Sequence, residues 1–537
     1  MKRRHFVHTS LAAMAGLAVP LPAMSALEAA PPRGWRDARA DGGRGLGEVV
    51  AVTGDGEEVV LTGEELAELA RRLHGRLLLA DDEGYDDARR ILNPSFDKYP
   101  ALIAQVTGTA DVQAAVNFAR DHGGLLLAVK CGGHSFSGQS TCDRGMMIDL
   151  SPFRHVRVDP AARRAWVSGG SLLGAVDHEA MAHGLVTPLG TVSHTGVGGL
   201  VTGGGFGRLS RRFGLSIDNV TAVDVVTADG RLVHASEREN PDLFWGVRGG
   251  GGNFGVVTSF EFRLHPMERT VVGGRIAFPI ARARDVLEMY AEYAPRAPDE
   301  LQMDMGVMAP PPGMAPPGGE EGITGLEVCF SGEERDAERA LAPIRRLGEP
   351  LMEEIASTDY VEVQRSGDVD DPRARASYLY GGFIPELPDE LIATIVDGVA
   401  AHPDRGAGVV LVQCGGAIER IPPEATAFSQ RDAMANLLCS VNWAQGDDPT
   451  EHIEWIRGYW PSLERFTHGF YINDANPDQI AQAIQTNFRR NHDRLVEVKN
   501  RYDPENLFRL NANIQPTAGR QVEREAAAAG AHAAGVR

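Results

Sequence analysis

The sequence predicts an α+β protein of two folded domains, and three observations carry that prediction. A chain of 537 residues exceeds what one core can hold, since single domains stop growing at about 250–300 residues. Apolar runs of strand length alternate with amphipathic stretches of helical spacing, separated by Gly and Asp-Gly turns. Near Pro266 the pattern changes character, and a second alternation of strand and helix begins.

The elements follow in chain order. Residues 1–30 read as an export signal. Met1-Lys2-Arg3-Arg4 is basic, Leu11 to Val19 is a short apolar run, and small residues follow near Ala23 to Ala30. The apolar run is too short to span a bilayer. Arg3-Arg4 followed by Phe6 resembles a twin-arginine signal, which hands folded proteins to the export machinery; the alternative is an ordinary secretory signal. Either places the mature chain in the periplasm or outside the cell. Residues 31–74 form an N-terminal extension: a loose Gly-, Arg- and Asp-rich lead-in to residue 60, then helical spacing from Glu64 to Leu79.

A first domain, 75–267, opens with a strand (Leu102 to Val106), a helix (Asp111 to His122) and a strand (Leu125 to Val129). Strand-like runs then recur at Met146 to Leu150, Ala165 to Ser168, Val220 to Thr227 and Gly255 to Leu264. Asp224 to Arg231 reads as a strand entering a tight hairpin. A second domain, 268–460, holds a Pro- and Gly-rich loop at 309–319, strands at Leu326 to Phe330 and Val409 to Gly415, and a helix at Glu334 to Leu347. A helix from Pro477 to Arg490 follows, and the Ala- and Gly-rich tail 517–537 is expected to be disordered.

Charge and cysteine usage exclude several functions. The formal net charge is −20, which opposes nucleic acid and anionic lipid as partners. The five cysteines include no Cys-x-x-Cys pair, so neither a structural zinc site nor a disulfide scaffold is indicated. No metal is expected, and no membrane anchor.

Three glycine-rich segments carry the chemistry. Cys131-Gly132-Gly133-His134-Ser135-Phe136-Ser137-Gly138 follows directly on a strand. Glycines there let the backbone approach a bulky anion and aim amides at it. His134 sits inside the turn, where its ring nitrogen can meet whatever the backbone cradles. Gly196 to Gly207 holds seven glycines in twelve residues, against an average usage of about 7%. It is not a dinucleotide fingerprint, because the strand, the glycine order and the following helix are missing, and no Gly-Lys-Ser/Thr marks a phosphate loop. Phe244 to Val256 adds four consecutive glycines before a strand. Each segment alone reads as a flexible turn; together they suit one extended ligand with a pyrophosphate and flat rings.

These segments resemble the berberine bridge enzyme-like branch of the vanillyl-alcohol oxidase family of FAD enzymes, over roughly 75–267 and 468–516. Gly132-Gly133-His134-Ser135 is similar to the loop whose histidine is bonded to the flavin 8α carbon. Arg248 to Gly255 and Lys499 to Phe508 match two further signatures. The resemblance implies a PCMH-type FAD-binding domain, an α+β substrate domain built on an antiparallel sheet, and a C-terminal segment, 461–516, that returns to the FAD domain. It implies FAD held by Gly132, Gly133, Ser135, Ser137, Gly138, Thr195, Gly198, Gly199, Gly203, Gly204, Gly255, Val256 and Asn473, with the amides of 132–138 and 198–204 on the pyrophosphate. His134 would carry a covalent link. Many relatives have a second link through a cysteine, but Val192 stands at that position, so one link is expected.

The implied reaction is hydride transfer from an organic alcohol, a carbohydrate or secondary metabolite, to flavin N5. Reoxidation by O2 would give hydrogen peroxide. The residue that influences oxygen access in relatives corresponds to Thr195, which leaves oxidase and dehydrogenase both open. An oxidative cyclase of a natural-product pathway and a flavin-binding protein without turnover are the alternatives. Relatives carry Tyr-x-Asn-Tyr near the C-terminus; here it reads Tyr471-Ile472-Asn473-Asp474. The base is then Tyr471 or Asp474, unless Asp474 is a solvated cap for the helix near Pro477. His194 either faces the ring system or is a packed, hydrogen-bonded histidine. Gln413, Tyr380 and Arg431 are candidates to face substrate, and Cys131 and Cys142 read as packing residues.

Overall fold

The computed structural model describes residues 46–309, 318–319, 321–368, 373–402 and 406–517. The export signal, the first half of the lead-in, nearly all of the Pro-rich loop and the tail lie outside the described residues.

A four-stranded sheet takes the order Arg76–Leu78, Leu102–Gln105, Met146–Asp149, Leu127–Lys130. The last three strands run parallel. The strand–helix–strand unit is present, with its helix at Thr109–Asp121, but its two strands are not neighbours, because Met146–Asp149 is inserted between them. Beside it lies a five-stranded antiparallel sheet containing Val156–Asp159, Arg164–Ser168, Val220–Val226, Leu232–Ser236 and Val256–Arg263. The hairpin read at Asp224 to Arg231 joins Val220–Val226 to Leu232–Ser236, with Val226 opposite Leu232.

Two readings of the N-terminal region are corrected. Part of the loose lead-in is a hairpin, Val49–Val52 on Glu58–Leu61. The helical run from Glu64 splits into a helix, Gly63–Arg72, and a strand, Arg76–Leu78. Thr62 starts the helix with a capping box, its hydroxyl accepting from the Glu65 amide while Glu65 reaches back.

The remaining large layer is an eight-stranded antiparallel sheet that contains Thr270–Pro279, Leu301–Ala309, Ile323–Phe330, Arg375–Ile384, Ala407–Gln413 and Ala435–Ala444. Strand alternation splits its residues between two faces. Met303, Met305, Val307, Val409, Leu411, Leu437 and Cys439 pack against the helices Ala283–Tyr293, Asp389–Ala400 and Thr450–Glu464. The other face turns toward the first two sheets, and all nine residues of Leu301–Ala309 are buried as a result. The strand still alternates, with Leu301, Met303, Met305 and Val307 toward the helices and Gln302 and Asp304 on the other face, but the polar side is buried as well.

The C-terminal segment packs back onto the first layer. Lys499, fully buried in the helix His492–Tyr502, donates to Asp503 Oδ2 at 2.6 Å, to the Asn253 carbonyl at 2.9 Å and to the Phe508 carbonyl at 3.0 Å. Asn253 returns the contact: its amide donates to the Ala512 carbonyl and its oxygen accepts from the Ile514 amide. Two of the three signatures thus bind each other. Because Lys499 and Asp503 are both fully buried, Lys499→Met removes the carboxylate's counter-charge and leaves it only the Leu507 and Phe508 amides. It should cost about 3–5 kcal/mol, read as a lowered urea midpoint, and adding Asp503→Asn, which keeps an acceptor for those amides without the charge, should recover part of the loss.

Candidate functional site

A cavity of about 450 Å³ lies between the glycine segments and the inner face of the large sheet. The strand Leu127–Lys130 delivers the chain to Cys131 at its edge. There Gly132 meets Gly196: a Cβ on either would fall within 3.0 Å of the other's backbone. Gly133 then turns with φ +73°, in the left-handed region that favours glycine, and His134 enters the cavity wall.

His134 Nε2 lies 2.7 Å from His194 Nδ1, and its Nδ1 lies 3.3 Å from Thr195 Oγ1. Burial, with His194 beside it, lowers the His134 pKa to about 3, so the ring is neutral at physiological pH. Burial also lowers that of His194. His194 Nε2 is buried with no hydrogen-bond partner. His194 therefore faces the cavity and is hydrogen-bonded at once, which joins the two readings of it.

Gly132, Gly133, His134, Ser135, Ser137, Thr195, Gly198, Gly199, Gly255, Val256, Tyr471, Asn473 and Asp474 all line the cavity. Three predicted residues do not. Gly138 is packed where a Cβ would strike the Phe96 ring, and its carbonyl accepts from Lys98 Nζ. Gly203 admits the Asn473 amide, and Gly204 lies against Tyr471 and Phe428. At these glycines a Cβ would meet side chains of the protein. The segment also contains a helix, Val197–Gly203, which the glycine content conceals.

At the C-terminal end of the site, the Tyr471 hydroxyl accepts from the Gly205 amide and from Asn473 Nδ2, both at 2.8 Å. Its ring meets Phe206 edge-on at 5.1 Å. Burial raises its pKa further above the ordinary phenol value, and Asp474 adds to the rise. Asp474 accepts from Asn436 Nδ2 at 3.0 Å. Burial raises its pKa to about 7. The solvated-cap reading of Asp474 is thereby corrected: Asn476 caps the helix Pro477–Asn487, accepting from the Gln479 amide.

The candidate substrate residues of the second domain lie elsewhere. Gln413 is bonded to Met303 and Ala294 inside the sheet. Tyr380 stacks on Trp460, and Arg431 makes a bidentate pair with Asp218. The sheet instead contributes four polar residues, Asp304, Ser377, Asn436 and Ser440, and four apolar ones, Leu379, Val410, Val412 and Leu438. Single residues on distant strands leave no contiguous signal; only alternation along each strand points to them. Cys131 and Cys142 are free thiols; Cys142 is buried, and the Cys131 thiol faces the Ser171 carbonyl.

The site fits FAD on three counts: glycine backbone lines it, His194 Nε2 is an unmatched polar atom within it, and Gly199 and Gly252 have no atom within 4 Å of a Cβ position. No group of His, Cys, Asp or Glu suited to a metal occurs among the described residues, and no described helix is long and apolar enough to cross a membrane.

Comparison with known proteins agrees with this geometry. Residues 100–236 match the family model of an FAD binding domain, and 470–515 match that of berberine and berberine-like segments. A Dictyostelium discoideum FAD-linked oxidoreductase is 31% identical over 421 residues, covering 78% of this chain and 89% of its own. The (R)-6-hydroxynicotine oxidase of Paenarthrobacter nicotinovorans is 31% identical over 461 residues, covering 83% and 97%. Among solved structures, xylooligosaccharide oxidase from Myceliophthora thermophila aligns with a TM-score of 0.74 at 25% identity, over 84% of this chain and 99% of that one.

Tyr471→Phe should leave the Gly205 amide and the Asn473 amide short of an acceptor. A stability loss of about 1–3 kcal/mol follows, measured as a lowered unfolding midpoint in the purified protein.

Proposed function

The chain belongs to the berberine bridge enzyme-like family of FAD-linked oxidoreductases, and from that premise we propose that it is an exported oxidase of an organic alcohol. One observation carries this reading: a single cavity holds a neutral imidazole, a carboxyl group of raised pKa and a wall of glycine backbone.

His134 is the residue that would carry the flavin, through one covalent bond to the 8α position, since Val192 offers no nucleophile. Gly132, Gly133, Gly198 and Gly199 would hold the cofactor by backbone, with Ser135, Ser137, Thr195, Gly255, Val256 and Asn473 beside it. Bound there, FAD would supply the two-electron acceptor for the alcohol's hydride, with dioxygen as the final acceptor.

The chain's own part is to position the alcohol and remove its proton. Asp474 suits the role of base better than Tyr471. Its carboxyl titrates near neutrality, where a base is most effective, and Asn436 fixes its direction. Tyr471 has both acceptor positions filled and a phenol raised out of the neutral range; it orders Asn473 and Gly205. Residues 1–30 are read as a twin-arginine-type signal, which would carry a chain already loaded with cofactor out of the cytoplasm.

Two measurements test this. The intact mass of the purified protein should exceed that of the chain by one FAD, and His134→Ala should lose that increment; an unmodified wild-type chain from a flavin-replete host would refute the linkage. The rate should rise with pH through a limb near 7, because the base works only when Asp474 has lost its proton. Asp474→Asn should abolish that limb and lower kcat by about 10²–10⁴. An unchanged limb would assign the base elsewhere.

A further inference from the structure

A bond from His134 to a flavin cannot form by positioning alone, because the imidazole must also give up a proton. A neutral imidazole has one bare nitrogen and one N–H. When the bare nitrogen bonds to carbon, the ring is a cation until the other nitrogen releases its hydrogen. Burial, with His194 beside it, holds the His134 pKa at about 3, so a cation there is strongly disfavoured. A base at the far nitrogen removes that cost.

His194 stands at that nitrogen. Its Nδ1 lies 2.7 Å from His134 Nε2, and the ring centroids are 4.7 Å apart at a tilt of 44°. Among the described residues, the His134 ring is hydrogen-bonded to His194 and to the Thr195 hydroxyl, and to no carboxylate. With Nε2–H directed at His194, the His134 lone pair lies on Nδ1, because the bond made by one ring nitrogen sets the state of the other. Thr195 Oγ1, 3.3 Å from Nδ1, is placed to donate to that lone pair.

Two further observations fit a proton acceptor better than a packed ring. His194 Nε2 is buried with no hydrogen-bond partner, and His194 lines the cavity. In a ring present for packing, that unmatched atom costs about 1–3 kcal/mol; a ring that passes a proton on needs its second nitrogen open. The residue beside it is also clamped from the second domain. Ser193 donates its amide and its hydroxyl to Asp368, at 2.8 and 2.5 Å, and its carbonyl accepts from the Gly174 amide at 2.8 Å. Burial lowers the His194 pKa, and the Asp368 carboxylate opposes that fall. Nucleophile, base and a third group that orients the base thus follow one another, as in other activated nucleophiles.

We propose that His194 is the proton acceptor for flavin attachment: it takes the Nε2 hydrogen of His134 while Nδ1 bonds to the flavin 8α carbon. This rests on the covalent linkage read above and adds the residue that drives it. One N–C bond forms, and one methyl C–H bond and the imidazole N–H bond break. The methyl proton leaves to solvent; the imidazole proton passes to His194 Nδ1, and His194 releases one from Nε2 to the cavity. The two electrons of the C–H bond enter the flavin and pass to dioxygen, which takes up two protons as hydrogen peroxide.

The test mixes FAD, in air, with the full chain from a flavin-limited host, as wild type, His194→Ala, His194→Asn and His134→Ala. Bound FAD is read by absorbance after desalting, and attached FAD by intact mass after acid precipitation, over time. Both His194 variants should bind FAD and attach it about 100-fold more slowly than the wild type; asparagine keeps an acceptor on that side without a base. Added imidazole should raise attachment in His194→Ala by about tenfold or more and leave His134→Ala unattached. Attachment at the wild-type rate in either His194 variant overturns the proposal and leaves the linkage standing. Absence of rescue by imidazole overturns it too, as does loss of FAD binding from both variants, which would make His194 a residue that holds the cofactor. A wild type that binds FAD without attaching it overturns the linkage and this step together.

Discussion

The site depends on the contact between Gly132 and Gly196. Two loops about sixty residues apart in sequence touch backbone to backbone, and neither position has space for a Cβ. That contact sets His134 beside His194 and Thr195 and brings two sheets to one edge of the cavity. Any side chain at either position would separate the loops by about the width of a methyl group, and the imidazole pair would lose its spacing. The glycines are therefore fixed by packing; only some of them also bend the chain.

The second layer is held to the first by buried ion pairs. Arg208, which follows the glycine run, reaches Glu327 in the large sheet, and Arg431 holds Asp218 through two 2.8 Å hydrogen bonds. A buried charge with a fixed partner tolerates little displacement. These pairs cross between the glycine-bearing layer and the sheet, so they hold the Asn436 side of the cavity against the His134 side. This is why Arg431, a polar residue that looked available to a substrate, is buried with both terminal nitrogens bonded inside the protein.

Much of the first wall was legible in the sequence. Its residues sit in contiguous segments with unusual composition, and His134, Thr195, Tyr471, Asn473 and Asp474 could be named from those segments together with a family resemblance. The α+β class was legible from alternation. The sheet wall was not, because Val410, Asn436 and Leu379 come singly from different strands whose pairing depends on the tertiary fold. Composition also misleads locally. Gly138, Gly203 and Gly204 look like their neighbours but serve Phe96, Asn473 and Tyr471, and the glycine run hides a helix whose formation owes little to intrinsic propensity.

The attachment of Lys499, Asp503, Ala512 and Ile514 to the Asn253 turn has a consequence for folding. Phe508, Leu510, Asn511 and Ala512 are themselves part of the cavity wall. The pocket is therefore complete only once this segment has docked, and loosening the Asn253 turn would open the cavity from a side that none of the sheets closes.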